Sequence, residues 1–237
     1  MKILLVALLI SGLFIFPSCK KVVGEGPVVT ETRSVGSFTG ISFETAGKVN
    51  FTIGPKLPVE LIAQQNILDV LQTNIVSGVL HIDFKDNVRV RDYEDIIVNI
   101  TAPSADYLRL SGSGDMNVLG SLAANNLTMM LSGSGNIYVQ TTIIADKINA
   151  KVSGSGNISV LNGSAINEDV DISGSGNVEL AGVTAQNATT RTSGSGDVKV
   201  NLSKSLGVHI SGSGSVYYHG NPVISTHISG SGRVIPF

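Results

Sequence analysis

The tetrapeptide Ser-Gly-Ser-Gly, here called the tetrad, occurs seven times in this chain of 237 residues and constrains its fold more than any other feature. The tetrads begin at positions 111, 132, 153, 173, 193, 211 and 229, so successive tetrads start 18 to 21 residues apart. A repeat period of about 20 residues is typical of solenoids, in which each repeat forms one turn that stacks on the next. The sequence therefore predicts a regular stack of turns over residues 107–237.

Apolar residues recur at three fixed positions around each tetrad, and polar or mixed residues stand between them. The position directly before the tetrad and the second and fourth positions after it are filled mainly by Val, Ile, Leu or Met. Alternation with a period of two is the pattern of a β-strand that buries one face. Continued through the tetrad, this alternation places both glycines toward the core and both serines outward.

Glycine on the inner side of a sharp corner leaves room for the neighbouring turn and permits backbone angles that other residues avoid. The outward serines could bond exposed backbone, or each other between turns. We therefore interpret these glycines as structural turn residues: Gly112, Gly114, Gly133, Gly135, Gly154, Gly156, Gly174, Gly176, Gly194, Gly196, Gly212, Gly214, Gly230 and Gly232. The residue after each tetrad is mostly Asn or Asp, which form side-chain ladders and turns. The predicted ladder consists of Asp115, Asn136, Asn157, Asn177 and Asp197.

The repeat is divergent before residue 107. Residues 44–47 resemble a degenerate tetrad, with apolar residues at the usual flanking positions, and predict one more turn. Strands are expected at 59–63 and 79–84. Between them, Asn66 is expected to cap a short helix that runs to about Gln72, with Ile67, Leu68 and Leu71 clustered. Residues 85–95 read as a charged, solvated loop, after which residues 96–101 are expected to start the regular stack.

The N-terminus carries the pattern of an export signal. Lys2 precedes an apolar stretch and a small residue, Ser18, stands directly before Cys19, the only cysteine. Residues 16–19 resemble a bacterial lipobox, in which the cysteine becomes lipidated; an ordinary signal peptide with an incidental cysteine is the alternative. We favour lipid attachment at Cys19, because a single cysteine has no disulfide partner within the chain. Residues 20–35 carry glycines and a proline without sustained alternation, which suggests a tether.

Composition excludes several classes of function. The net charge is −2 and no basic run exceeds two residues, so we expect no nucleic-acid partner. Beyond the signal there is no apolar stretch of about 20 residues, the length a membrane-spanning helix needs. The expected membrane contact is therefore a lipid anchor on the outer membrane, with the cell-surface and periplasmic faces both open.

The tetrads with their following Asn and Val or Ile, the degenerate unit at 44–51, the strand-helix-strand insert and the lipobox together resemble the head GIN domain family, adhesin-like β-helix lipoproteins of Bacteroidetes. The resemblance implies an all-β, right-handed parallel β-helix of the pectin-lyase-like type, an adhesion role and no catalytic residues. We accordingly divide the chain into a signal peptide at 1–18, a lipidated tether at 19–35 and a single β-helix domain at 36–237. That domain is divergent over 36–106 and regular over 107–237.

Candidate reactive residues are dispersed along the predicted stack. Glycoside hydrolysis needs two carboxyl groups within about 10 Å, whereas Asp115 and Asp197 are four turns apart, about 19 Å at 4.8 Å per turn. Asp171 is expected to form a surface charge ladder with Lys151 and Arg191. We therefore expect no enzyme and no cofactor.

His209 and His227 occupy the same outward column in adjacent turns and could share a metal. A structural metal site usually has four ligands. A stacked pair without metal is therefore the expected state.

Two functions remain open from the sequence. The first is a non-catalytic, envelope-anchored adhesin or binding scaffold with an unknown protein or glycan ligand. The alternative is a polysaccharide-binding or degenerate lyase-like protein. We expect a monomer or weak oligomer, with a side-by-side trimer as the alternative, and expect Phe237 to fold over the apolar end of the core.

Overall fold

The computed structural model describes residues 20–237, and these form an all-β parallel solenoid, which confirms the predicted fold class. The predicted signal peptide and Cys19 lie outside the described residues. In the described part of the chain, no helix has the length and apolar character needed to traverse a membrane.

The N-terminal part of the described chain combines parallel and antiparallel strands with one short helix. Its elements are β1 (Lys20–Val23), β2 (Val28–Arg33), β3 (Gly40–Phe43), β4 (Gly47–Ile53), β5 (Val59–Gln64), α1 (Gln65–Leu68), β6 (Leu71–Val76), β7 (Val79–Phe84), β8 (Val88–Arg91) and β9 (Ile96–Ala102). The regular stack follows as β10 (Tyr107–Gly112), β11 (Asp115–Leu119), β12 (Leu122–Gly133), β13 (Asn136–Gly154), β14 (Asn157–Gly174), β15 (Val178–Gly194), β16 (Val198–Gly212), β17 (Val216–Gly220), β18 (Val223–Gly230) and β19 (Val234–Pro236).

Successive turns pair in parallel and keep equivalent residues side by side. The residue before each tetrad stacks on its counterpart: Leu110 pairs with Leu131, and Leu131 pairs with Val152. These columns are buried, as the alternation predicted. A third buried segment, which the sequence pattern did not indicate, follows the two that flank the tetrad; in one turn it contains Ile143 and Ala145. Each turn therefore closes the core with three inward-facing segments.

The stacking order differs from the chain order at the N-terminal end. The turn formed by β3 and β4 lies between the turn of β7 and β9 and the turn of β10 and β11. Phe43 pairs with Ile82 on one side and with Leu110 on the other. The degenerate unit at 44–47 thus stacks directly under the first tetrad, while the expectation that residues 96–101 start the regular stack is wrong. The reason is that β5, α1 and β6 lead the chain to the N-terminal end of the stack, where β7 and β9 pair with one side of β3 and β4. The chain then continues to β10 and β11, which pair with the other side of β3 and β4.

The described part of the predicted tether, residues 20–35, contains two strands that pair with the N-terminal end of the solenoid. β1 pairs with β8, inside the predicted charged loop, and β2 pairs antiparallel with β5. Arg33 fixes β2 further by donating to the carbonyl oxygens of Leu68 and Leu71, at 2.8 and 2.7 Å. Side chains in β2 alternate between half-buried and exposed, and none is fully buried. This explains why the sequence pattern did not indicate the strand.

The helix α1 ends at Leu68, before the predicted end near Gln72, and it begins at Gln65, before the predicted cap Asn66. Asn66 does not cap it; its side chain donates to the carbonyl oxygen of Val23 at 2.6 Å and accepts the amide of Glu25 at 3.1 Å. The predicted apolar cluster of Ile67, Leu68 and Leu71 is buried, although Leu71 already belongs to β6. Asn66 therefore ties the helix to the N-terminal strand.

The C-terminal end of the stack is open. Ile224 and Ile228 of β18 continue buried columns, yet they are 37% and 40% exposed. Phe237 does not cover them: it is 56% exposed, and its ring lies 6.2 Å from that of His219 on the outside of the stack. The expectation that Phe237 caps the core is wrong, because its amide bonds to the carbonyl of Tyr218 and holds the residue at the side.

Candidate functional site

The tetrad corners stack backbone on backbone. At the central corner, Gly154 has a φ of +133°, in the region that favours glycine, and the amide of Ser155 donates to the carbonyl oxygen of Gly133 in the preceding turn at 2.9 Å. Gly156 is buried, and a Cβ placed on it would collide with the carbonyl oxygen of Gly135 and the side chain of Leu131. Within residues 20–237 the tetrad hydroxyls form no hydrogen bonds with the protein, so they face outward with free donors and acceptors.

The residues after the tetrads are brought together in one ladder. Asn136 donates its side-chain amide to Asp115, Asn157 donates to Asn136, and Asn177 donates to Asn157, each at 2.9 Å. The backbone amide of Asp197 donates to Asn177 at 2.9 Å, and the carboxylate of Asp197 accepts the amide of Ser215 at 2.7 Å. Asp115 and Asp197 therefore sit at opposite ends of one hydrogen-bonded column.

A second ladder of side-chain amides was not predicted from the sequence. Asn50 donates to Asn99 at 2.9 Å and accepts from Asn117 at 3.3 Å. These residues come from β9, β4 and β11, which are neighbours only because the first turn is inserted out of chain order. No local repeat could reveal the pairing.

A groove with a volume of about 830 Å³ runs along one flank of the stack beside the tetrad corners. One side of the groove is the outer row, the outward residues two positions before each tetrad. The outer row consists of Arg109, Met130, Lys151, Asp171, Arg191, His209 and His227. The other side is the serine row, the first serines of six tetrads: Ser132, Ser153, Ser173, Ser193, Ser211 and Ser229. At roughly 4.8 Å per turn, the seven members of the outer row span about 29 Å.

Charges in the middle of the outer row are paired. The carboxylate of Asp171 lies 3.9 Å from Lys151 and 3.6 Å from Arg191, which confirms the predicted charge ladder. Asp169, on the same strand, pairs with Lys147 at 2.8 Å and with Arg191 at 3.6 Å. Both aspartates share Arg191.

The two histidines lie together near the C-terminal end of the outer row. The ring centroids of His209 and His227 are 6.2 Å apart and the rings are tilted by 46°. In the described part of the chain, no three His, Cys, Asp or Glu side chains are grouped closely enough to hold a metal. The structure thus brings the pair together without a third ligand.

Glu168 is a buried acidic residue that the sequence analysis overlooked. It occupies a core column between Ile148 and Ala188, is only 2% exposed, and neither carboxylate oxygen has a hydrogen-bond partner. Burial raises the pKa of Glu168 well above its ordinary value. Its position in the repeat indicates burial, because Glu168 stands five residues before a tetrad, where other repeats carry Leu127 and Ile148.

Comparisons with known proteins agree with this architecture. Residues 37–222 match the model of a protein family described as "Putative auto-transporter adhesin, head GIN domain". A search of curated proteins found no match. Among solved structures, a putative adhesin from Bacteroides fragilis NCTC 9343 is 23% identical with a TM-score of 0.81, covering 91% of this chain and 100% of its own.

Two further crystal structures are similar. A putative adhesin from Parabacteroides merdae ATCC 43184 is 19% identical with a TM-score of 0.76, over 92% of this chain and 99% of its own. A putative lipid binding protein from Parabacteroides distasonis ATCC 8503 is 22% identical with a TM-score of 0.78, over 92% of this chain and 100% of its own. At these identities the likeness shows the shared fold.

Proposed function

Because the chain belongs to the family described as "Putative auto-transporter adhesin, head GIN domain", we propose that it is a non-catalytic binding protein of the cell envelope. The observation that carries the proposal is the groove, which extends over seven turns and is lined by hydroxyl and charged side chains together with apolar ones such as Met130 and Ile172. A long, regular and rigid groove suits an extended ligand, because the solenoid already holds the contacting residues in place and little ordering is needed on binding.

Binding without turnover fits the chemistry of the groove better than catalysis does. Its one carboxylate, Asp171, is engaged by Lys151 and Arg191. Glycoside hydrolysis needs a protonated carboxyl group opposite a second, ionised one. Asp169 lies outside the groove lining and is paired with Lys147 and Arg191, so the lining offers no second carboxyl group.

The envelope location rests on Cys19 and on the strand that follows it. In our proposal Cys19 carries a lipid, and β1 begins at the very next residue. The lipid then places the N-terminal end of the stack close to the membrane. The groove runs along the solenoid axis and therefore extends away from the membrane surface. The mature chain binds the membrane through the anchor, since acyl chains supply the affinity that its own surface lacks.

Cys19→Ser is expected to release the protein from membranes. We expect the wild-type chain, expressed in a bacterium that processes lipoproteins, to sediment with the outer-membrane fraction, and the variant to be recovered in the soluble fraction. Fractionation followed by mass spectrometry of the N-terminal peptide measures both location and acylation. Equal solubility of the two forms, or an unmodified cysteine in the wild type, would contradict the anchor.

A bulky residue in the groove is expected to abolish binding. Ser173 lines the groove and Ser175, in the same tetrad, does not, although both are exposed. The mature protein should bind intact cells or members of a panel of immobilised host and capsular polysaccharides without shortening them. Ser173→Trp should weaken that binding by at least about tenfold, and Ser175→Trp is the matched control. Release of shortened sugars, or equal binding by both variants, would refute the proposal.

A further inference from the structure

The outer row of the groove alternates with a period of two turns over its first five turns. Its residues stack one per turn in the order in which the chain supplies them, from β10 to β18. Arginine and lysine occupy the first, third and fifth turns as Arg109, Lys151 and Arg191. Met130 and Asp171 lie on the turns between them, and His209 and His227 occupy the last two turns. Three permanent positive charges are therefore held at every second turn.

This arrangement defines two spacings along the groove. Stacked parallel strands are about 4.8 Å apart, so the serine row offers one hydroxyl at about every 4.8 Å and the permanent cations recur at about every 10 Å. A ligand that matches both spacings has hydroxyl groups on every unit and an anionic group on every second unit. An extended β-linked sugar chain has units of about the length of one turn, and its repeating disaccharide then spans two turns.

Asp171 adds selectivity to this spacing. It lies on the turn between two permanent cations and pairs with both, at 3.9 Å to Lys151 and 3.6 Å to Arg191. Its carboxylate attracts the two cationic side chains and repels a second anion at the intermediate turn, while it can accept hydrogen bonds from the hydroxyls of a neutral sugar. A polymer with an acidic group on every unit is disfavoured at this turn.

We propose that the groove binds a linear, β-linked polysaccharide in which an acidic sugar alternates with a neutral one, laid parallel to the solenoid axis. The inference rests on the proposed function, in which the groove is the binding surface. The acidic sugars lie against Arg109, Lys151 and Arg191, and the neutral sugar between the last two faces Asp171. The serine row bonds the sugar hydroxyls turn by turn.

Three hexasaccharides test the inference on the mature chain. A hyaluronan hexasaccharide alternates glucuronate with N-acetylglucosamine, a β-1,4-glucuronan hexasaccharide is acidic at every sugar, and cellohexaose is neutral. Calorimetry at low ionic strength is the measurement, because salt screens exposed charges. We expect the alternating ligand to bind at least about tenfold more tightly than either other. Unspecific attraction would instead favour the glucuronan, which carries more charge.

Substitutions in the outer row separate the possible outcomes. Arg191→Gln and Lys151→Gln should each weaken hyaluronan binding by about tenfold, whereas Lys204→Gln, on an exposed lysine outside the groove, should leave it unchanged. Asp171→Asn should improve glucuronan binding and reduce the preference for the alternating ligand. Circular dichroism checks that each variant is folded.

The inference is overturned if wild-type protein binds the glucuronan or cellohexaose at least as well as hyaluronan, or if Arg191→Gln and Lys151→Gln both bind like the wild type. If such a ligand still loses affinity with Ser173→Trp, the proposed function stands and only the ligand class is wrong. If Ser173→Trp changes the binding of no ligand or cell, both proposals fail.

Discussion

Replacing Gly174 and Gly176 together with valine is expected to abolish cooperative folding or to lower the free energy of unfolding by more than about 4 kcal/mol. Gly174 has a φ of +129°, which a β-branched residue does not adopt without strain. A Cβ on Gly174 would meet the carbonyl oxygen of Gly154, and one on Gly176 would meet the carbonyl oxygen of Gly156 and the side chain of Val152. The obstacle at both positions is the backbone of the preceding turn, which cannot move without breaking the stack.

The matched control places the same side chains on the serines of the same tetrad. Ser173 and Ser175 are exposed, so their joint replacement by valine should change the free energy of unfolding by less than about 1 kcal/mol. Thermal and urea unfolding followed by circular dichroism measures both variants. A glycine double variant that melts like the wild type would show that the corner tolerates side chains and would remove the physical basis of the repeat.

The regular stack was predictable because its information is local. One turn repeats the same alternation and the same corner at a nearly constant spacing, so the burial of Leu131 or Ile137 follows from the tetrad beside it. The N-terminal end depends on contacts between distant segments. The insertion of β3 and β4 beneath β10 and β11, and the pairing of β1 with β8, leave no periodic trace in the sequence.

The candidate site also has a part that local sequence spacing predicts and a part that it does not. The members of the outer row and the ion pairs of Asp171 follow from residue spacing, because equivalent positions in adjacent turns must lie side by side. The groove itself was not predicted, since its concavity depends on how the chain turns at each tetrad corner. The open C-terminal end was also missed, because the side on which Phe237 lies is decided by its backbone bond to Tyr218 and not by its apolar character.

Glu168→Leu is expected to stabilise the protein, by about 2 kcal/mol at pH 8 and by less near pH 4.5. Leucine matches Leu127 and Leu206, which lie in the same core column, and it removes two buried oxygens that have no partner. Burial favours the neutral form of the wild-type carboxyl group over the ionised form, and it raises the pKa of Glu168 well above its ordinary value of 4.5.

The sign of the pH dependence follows from linkage. In the unfolded chain Glu168 loses its proton as the pH rises through its ordinary range, whereas the folded chain keeps the proton to a higher pH. Between the two pKa values the folded state binds more protons, so the stability of the wild type falls as the pH rises. The contribution is fully present below the unfolded pKa and is lost as the pH approaches the folded pKa. The leucine variant lacks this loss, and its advantage therefore grows with pH.

Urea unfolding of the mature chain from pH 4 to pH 8.5 measures this difference, with two glutamine variants as controls. Glu168→Gln keeps the size of the side chain but removes its titration, so it should flatten the decline in stability without reaching the stability of the leucine variant. Glu25→Gln, at an exposed position, should leave the decline unchanged. A wild type whose stability does not fall across this range, or a leucine variant less stable than the wild type at pH 8, would mean that Glu168 is paired in solution. The carboxyl group would then contribute to the core of the solenoid and not weaken it.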